Sequence, residues 1–173
     1  IDCDIEVERF ISSIFSSAIE LLNQEDLYKG AVLLDLGFEK TSLGLFKNLA
    51  LVNSLTLPIG VNHLVKDISK ICSLSLEESK NIIKKFNFSI HDNNNFFDKE
   101  NNLKKDFFAS SKFRRISKSL ILKIIKTRID EILELIKKQL LLDGFKPNIG
   151  QNFFLIGGGS NLMNIDKYFS NFF

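Results

Sequence analysis

Apolar residues at Phe10, Ile14, Phe15, Ala18, Leu21 and Leu22 recur three to four positions apart, which predicts an amphipathic helix over 5–22 with a polar exit at 23–26. A continuous apolar run at 31–36, broken only by Asp35 and closed by Gly37, predicts a strand buried on both faces. Runs at 41–46 and 50–57 follow at short intervals, with a tight turn expected at Lys47-Asn48. These three segments predict an antiparallel meander. Pro58-Ile59-Gly60 ends it, and Val61, Leu64, Val65, Ile68 and Ile71 return to helical spacing over 61–73. A second helix is expected over 76–86, with Ser75 as its N-cap and Glu77 and Glu78 in its first turn.

The asparagine-rich stretch 91–102 predicts a loop, and 107–109 and 112–116 predict two short strands beside it. A long helix is expected over 117–142, capped by Ser117, striped by Ile121, Ile125, Ile129, Ile132, Ile136 and Leu140, and closed by Asp143-Gly144. Residues 152–156 predict a buried strand that runs into Gly157-Gly158-Gly159-Ser160-Asn161, with a last helix over 163–173. The order of elements is that of an α/β fold. With 45% hydrophobic residues in 173, the chain is apolar enough to fold around a core, which excludes a disordered tail. A net charge of +2 lacks the basic footprint of a nucleic-acid binder. Cys3 and Cys72 stand far apart with no CxxC or Cys/His cluster, which suits buried thiols and not a disulfide framework or zinc site. The apolar run at 120–125 is broken by Lys123 and far shorter than the ~20 residues of a membrane span. His63 and His91 are isolated, so no Ser/His/Asp or Cys/His arrangement is present. The first residue is Ile1 and not methionine, and the chain reads as a piece of a longer one.

Two glycine-bearing strand exits carry the candidate chemistry, Asp35-Leu36-Gly37 and Gly157-Gly158-Gly159-Ser160. Taken singly, the first reads equally well as a turn-capping carboxylate and the second as a plain loop. As a pair they form the pattern of one half of an actin-like nucleotide fold, because glycine at a strand end lets backbone N–H groups approach a phosphate or base.

Segments 30–69, 75–88, 114–140 and 153–162 together resemble the bacterial cell-division family FtsA in order and spacing. The resemblance implies the second domain of an actin-like (RNase H-like) α/β fold, truncated at its C-terminus. Residues 1–25 would end a preceding domain, 26–86 with 143–173 would form subdomain IIA, and 87–142 would form an inserted subdomain IIB. It implies ATP with magnesium at Asp35, Gly37, Lys40, Thr41, Lys84, Gly157, Gly158, Gly159 and Ser160, with Asp35 also facing the metal. It implies binding of the acidic, partly apolar tail of the tubulin-like division protein FtsZ at Arg114, Lys118, Ile121 and Arg128. It further implies self-association into actin-like filaments and attachment to the cytoplasmic face of the inner membrane through a helix outside this chain, with no nucleic-acid partner. The sequence departs from the family at the phosphate loop: where D-x-G-G-G-T is usual, Phe38, Glu39 and Lys40 follow Gly37. The expectation is therefore a division adaptor with a degenerate nucleotide cleft. A PilM-type pilus scaffold and, more distantly, a kinase of the same superfamily are the alternatives.

Overall fold

A computed structural model of the chain describes residues 6–86, 97–142, 152–162 and 164–171. Four strands form one sheet in the order β3-β2-β1-β4, with β1 at Ala31–Leu36, β2 at Thr41–Lys47, β3 at Ala50–Leu57 and β4 at Asn152–Ile156. The meander expected from sequence is present, and β4 joins it parallel to β1, pairing Ala31 with Asn152 and Asp35 with Ile156. Central β1 is buried on both faces, as its unbroken apolar run requires.

Each face of the sheet has its own core. Val32, Leu34, Leu36, Leu43 and Leu45 point to one side, against α3 (Val61–Cys72), α4 (Leu76–Lys85) and α5 (Lys118–Leu142). Ile121, Ile125, Ile129, Ile132, Ile136 and Leu140 of α5 all lie in that core, so the isoleucine stripe is the helix's buried face. On the other side Ala31, Leu33 and Phe46 receive Ile14, Ala18 and Leu22 from the short helix α1 (Ser13–Leu21). Gly44 lets α1 come this close, since a Cβ there would stand 3.0 Å from Ile14.

Several elements differ from the sequence expectation. Helix α1 starts at Ser13, because the buried positions begin at Ile14 and Phe10 is 96% exposed with nothing to pack against. The polar exit 23–26 is itself the start of a helix, α2 (Gln24–Lys29). Asn23 caps it by accepting from the Asp26 amide at 2.8 Å, and Gly30 ends it at φ 124°. The β2–β3 turn is centred one residue later than expected, on Asn48 and Leu49, both left-handed. It is held there because the Asn48 and Leu49 amides donate to the Tyr28 and Leu27 carbonyls at the end of α2. Residues 107–116 form no strands: 105–107 is a 3₁₀ turn, and the nearby pairing is limited to two isolated bridges, Phe97 with Leu103 and Asn102 with Ser117. Ser75 caps α4 as expected, and the structure adds the return bond from Glu78 that completes a reciprocal capping box. The expected cap at Asp143-Gly144 and the first half of the loop at 91–102 lie outside the described residues.

Candidate functional site

The carboxyl end of β1 is where the two glycine exits meet. Gly157 has φ 84°, and a Cβ on it would stand 2.2 Å from Asp35 Oδ1 and 2.7 Å from the Leu36 carbonyl. A Cβ on Gly159 would stand 2.4 Å from Leu36 Cγ. Both positions need glycine so that the loop can lie flat on the end of β1. Gly158 has nothing within 4 Å of its virtual Cβ and faces open space. The Ser160 amide and hydroxyl both bond to the Gly157 carbonyl, at 3.1 and 2.7 Å, which fastens the turn to itself. Asp35, Gly157, Gly158, Gly159 and Ser160 are thus brought together.

The hairpin loop beside it has a different character. Gly37 N donates to Lys40 O at 3.0 Å, closing a tight turn over Phe38 and Glu39. The Gly37 and Phe38 carbonyls accept from the Val61 and Asn62 amides of α3 at 3.0 and 2.7 Å. Asn62 Nδ2 donates to Glu39 Oε1 at 2.6 Å, and the Lys66 ammonium lies 3.9 Å from the other Glu39 oxygen. Gly60 allows this closure, since a Cβ there would stand 2.6 Å from both loop carbonyls. Thr41 donates its hydroxyl to the Ile59 carbonyl at 2.6 Å and so acts as a brace inside the protein. Lys40 is exposed, as is Lys84 on α4. The glycine loop presents backbone at the end of β1, whereas the hairpin presents an exposed carboxylate and a phenylalanine in its turn, which does not suit a triphosphate. Among the described residues no group of three His, Cys, Asp or Glu side chains is arranged to hold a metal ion, and Asp35 is the carboxylate nearest the glycine loop.

The basic residues expected to receive a peptide fall in three settings. Arg128 is gripped by Asp67 of α3 through Nε at 2.6 Å and a terminal nitrogen at 3.0 Å, and also by Glu131 one turn along α5. The Asp67 hydrogen bond raises its pKa, keeping the guanidinium charged. Arg114 donates to the Ser73 carbonyl at the left-handed C-cap of α3, and the Lys118 ammonium sits 5.7 Å from the Phe97 ring. Ile121 is fully buried, so its role in this arrangement is to hold α5 against the sheet. The accessible apolar surface lies next to it, in a groove of about 350 Å³ between α3 and α5 lined by Ile71, Leu120, Lys123, Ile124 and Thr127 and by the Asp67–Arg128–Glu131 cluster. The isoleucine spacing along α5 already set Ile121 on the core-facing side, and the structure leaves Leu120 and Lys123 on the accessible one.

Sequence reading missed one site entirely. Glu78 is 2% exposed, and it accepts from the amides of Ser75, Ser110 and Ser111 at 2.7 to 2.9 Å and from the Ser111 hydroxyl at 2.5 Å. Those bonds fix the Ser110–Ser111 turn on α4, while the Phe107 and Phe108 amides go to the Lys104 and Lys105 carbonyls and not to a strand partner. Burial alone would raise the Glu78 pKa. The hydrogen bonds from Ser111, Ser110 and Ser75 outweigh it and hold the carboxyl well below the usual carboxylate range.

An antiparallel meander continued by a distant parallel strand, with a glycine loop lying on the end of the first strand, defines an actin-like protein. Solved structures agree in fold: MreB5 of Spiroplasma citri bound to AMPPNP superposes with a TM-score of 0.70 over 92% of this chain and 50% of that one, at 20% identity. The MamK double helical filament and the PilM–PilN type IV pilus biogenesis complex give 0.67 and 0.61, at 17% and 15% identity, over 92% of this chain and 50% and 37% of theirs. The family model for cell division protein FtsA matches residues 32–173, and the chain belongs to that family. FtsA of Agrobacterium fabrum is 22% identical over 163 residues, and FtsA of Porphyromonas gingivalis is 30% identical over 146. These alignments cover 94% and 83% of this chain but 37% and 29% of the relatives, so the chain spans about a third of their length.

Proposed function

We propose that this chain is the partner-binding and self-associating part of a division adaptor that tethers FtsZ filaments to the cytoplasmic face of the inner membrane at the division site. The family match over 32–173 carries the reading. The α3–α5 groove supports it chemically. Ile71, Leu120 and Ile124 offer an apolar floor for a leucine or phenylalanine, while Lys123 offers charge to an acidic tail, Arg128 being already paired with Asp67 and Glu131 at the groove wall. Arg114 and Lys118, at the start of the same helix, extend the basic approach. Segment 104–118 carries six Lys/Arg against one acid, Asp106, a local charge of +5. Self-association is supported by filament-forming neighbours of the same fold. No helix among the described residues is long and apolar enough to cross a membrane. The reading assigns membrane contact to a separate amphipathic helix of the protein.

The reading gives ATP with magnesium a nucleoside seat at Asp35 and Gly157 to Ser160 but a poor phosphate seat at Gly37 and Lys40, so no step of this function is routed through it. The same hairpin disfavours a kinase. A pilus scaffold shares the fold, and binding separates it from the adaptor. A fluorescent FtsZ tail peptide titrated into the full-length protein is expected to bind, with affinity reduced at least tenfold by Lys123→Glu. Absence of binding to the folded wild-type protein overturns the reading.

A further inference from the structure

The β1–β2 hairpin and the first turn of α3 satisfy each other's polar groups. The Val61 and Asn62 amides go to the Gly37 and Phe38 carbonyls, the His63 amide to the Gly60 carbonyl, and the Gly60 amide to His63 Nδ1. A helix start ordinarily leaves such donors for solvent or an anion. Here the side-chain amide of Asn62, 9% exposed, is also spoken for, by Glu39 at 2.6 Å, with Lys66 balancing the charge from 3.9 Å. We infer that Glu39 is a built-in anion that fixes the hairpin on α3 and makes this wall of the cleft independent of nucleoside triphosphate.

The energetics run in one direction. A triphosphate approaching the turn meets the Glu39 carboxylate as a like charge and the Phe38 side chain as an obstacle to backbone approach. To displace Glu39 it must also leave the buried Asn62 amide without its acceptor, a cost the incoming ligand has to cover. A ligand shifts a conformational equilibrium only by its differential affinity for the two states, and this hairpin is already held in one of them. The inference does not depend on the FtsZ reading, because it concerns a different surface and a different ligand.

The test uses the full-length protein, with magnesium ATP as the probe and two readouts, thermal unfolding and amide hydrogen exchange at Val61 and Asn62. In the wild type, saturating magnesium ATP is expected to leave exchange at both amides unchanged, whatever shift of the midpoint a nucleoside at the glycine loop produces. Glu39→Ala is expected to speed exchange at those amides by about tenfold and to enlarge the response of the midpoint to magnesium ATP. Should that variant fail to fold, Glu39→Gln, which keeps the shape and one acceptor oxygen, is expected to keep the protected amides while gaining the enlarged ATP response. Wild-type exchange at Val61 or Asn62 that slows with magnesium ATP overturns the inference. So does a folded Glu39→Ala protein whose amides exchange at the wild-type rate.

Discussion

Single residues settle how the loops around the sheet are held. Glu78 joins α4 to residues 110–111 without any cationic partner, its charge being met by backbone amides and a hydroxyl. Its folded pKa is lowered from 4.5, so the stability it contributes is present above that value and is lost as pH falls below it. Glu78→Gln is expected to cost about 2 kcal/mol at neutral pH, read from urea unfolding, and the gap to wild type should close on acidification. A constant gap across pH would show that the charge plays no part. At the glycine loop the expectation is a contrast between neighbours. Gly157→Ala forces a Cβ onto Asp35 at a left-handed φ and should cost about 2 kcal/mol, whereas Gly158→Ala should change stability by less than about 0.5 kcal/mol. The sequence announced the glycines and Asp35 because rare backbone demands leave few residue choices. It was silent about Glu78, which reads as an ordinary first-turn acid until the distant Ser110 and Ser111 are brought to it.

Elements were legible in proportion to how locally they are determined. The meander, α3, α4 and α5 each carry their own periodicity, and the structure keeps them with boundaries shifted by a few residues. Helix α2 also had its signals in plain view, an asparagine cap, Glu25 and Asp26 in the first turn and Gly30 after the last. It is too short, however, for any apolar period to register. The strands expected within 107–116 fail for the opposite reason: their residue types favour pairing, but the Phe107 and Phe108 amides are taken by a local 3₁₀ turn, and Glu78 on another element holds the Ser110–Ser111 turn between them. Packing of α3 on α5 depends on a pair that sequence spacing does not reveal, Asp67 and Arg128, sixty-one positions apart. Both side chains are 25% exposed, which places the bridge between a surface pair and a buried one. Asp67→Ala is expected to lower stability by about 1 to 2 kcal/mol, and a double-mutant cycle with Arg128→Ala should return a coupling near 1 kcal/mol. Additive single effects would mean that the two helices are held by apolar packing alone.

At the scale of the whole molecule, charge is unevenly spread. The overall balance is +2 while 104–118 alone holds +5, so the remainder of the chain is slightly acidic. An acidic partner should therefore be steered toward the start of α5, and its association rate should fall about tenfold as salt rises from roughly 50 to 300 mM. A rate indifferent to salt would place the partner elsewhere. The net charge read from the sequence gave no hint of this, since opposite local excesses cancel in the sum. The sheet, too, has a history written into its order. Strand β1 acquires its second neighbour only when residue 152 is available, more than a hundred positions after Leu36. At a synthesis rate of ~5 to 20 residues per second, one edge of the central strand stays open for roughly 6 to 25 seconds on the ribosome. An apolar edge left open that long is a target for chaperones. Slowing translation between β3 and β4 should thus lower the soluble yield of this protein more than a change of the same size before β1.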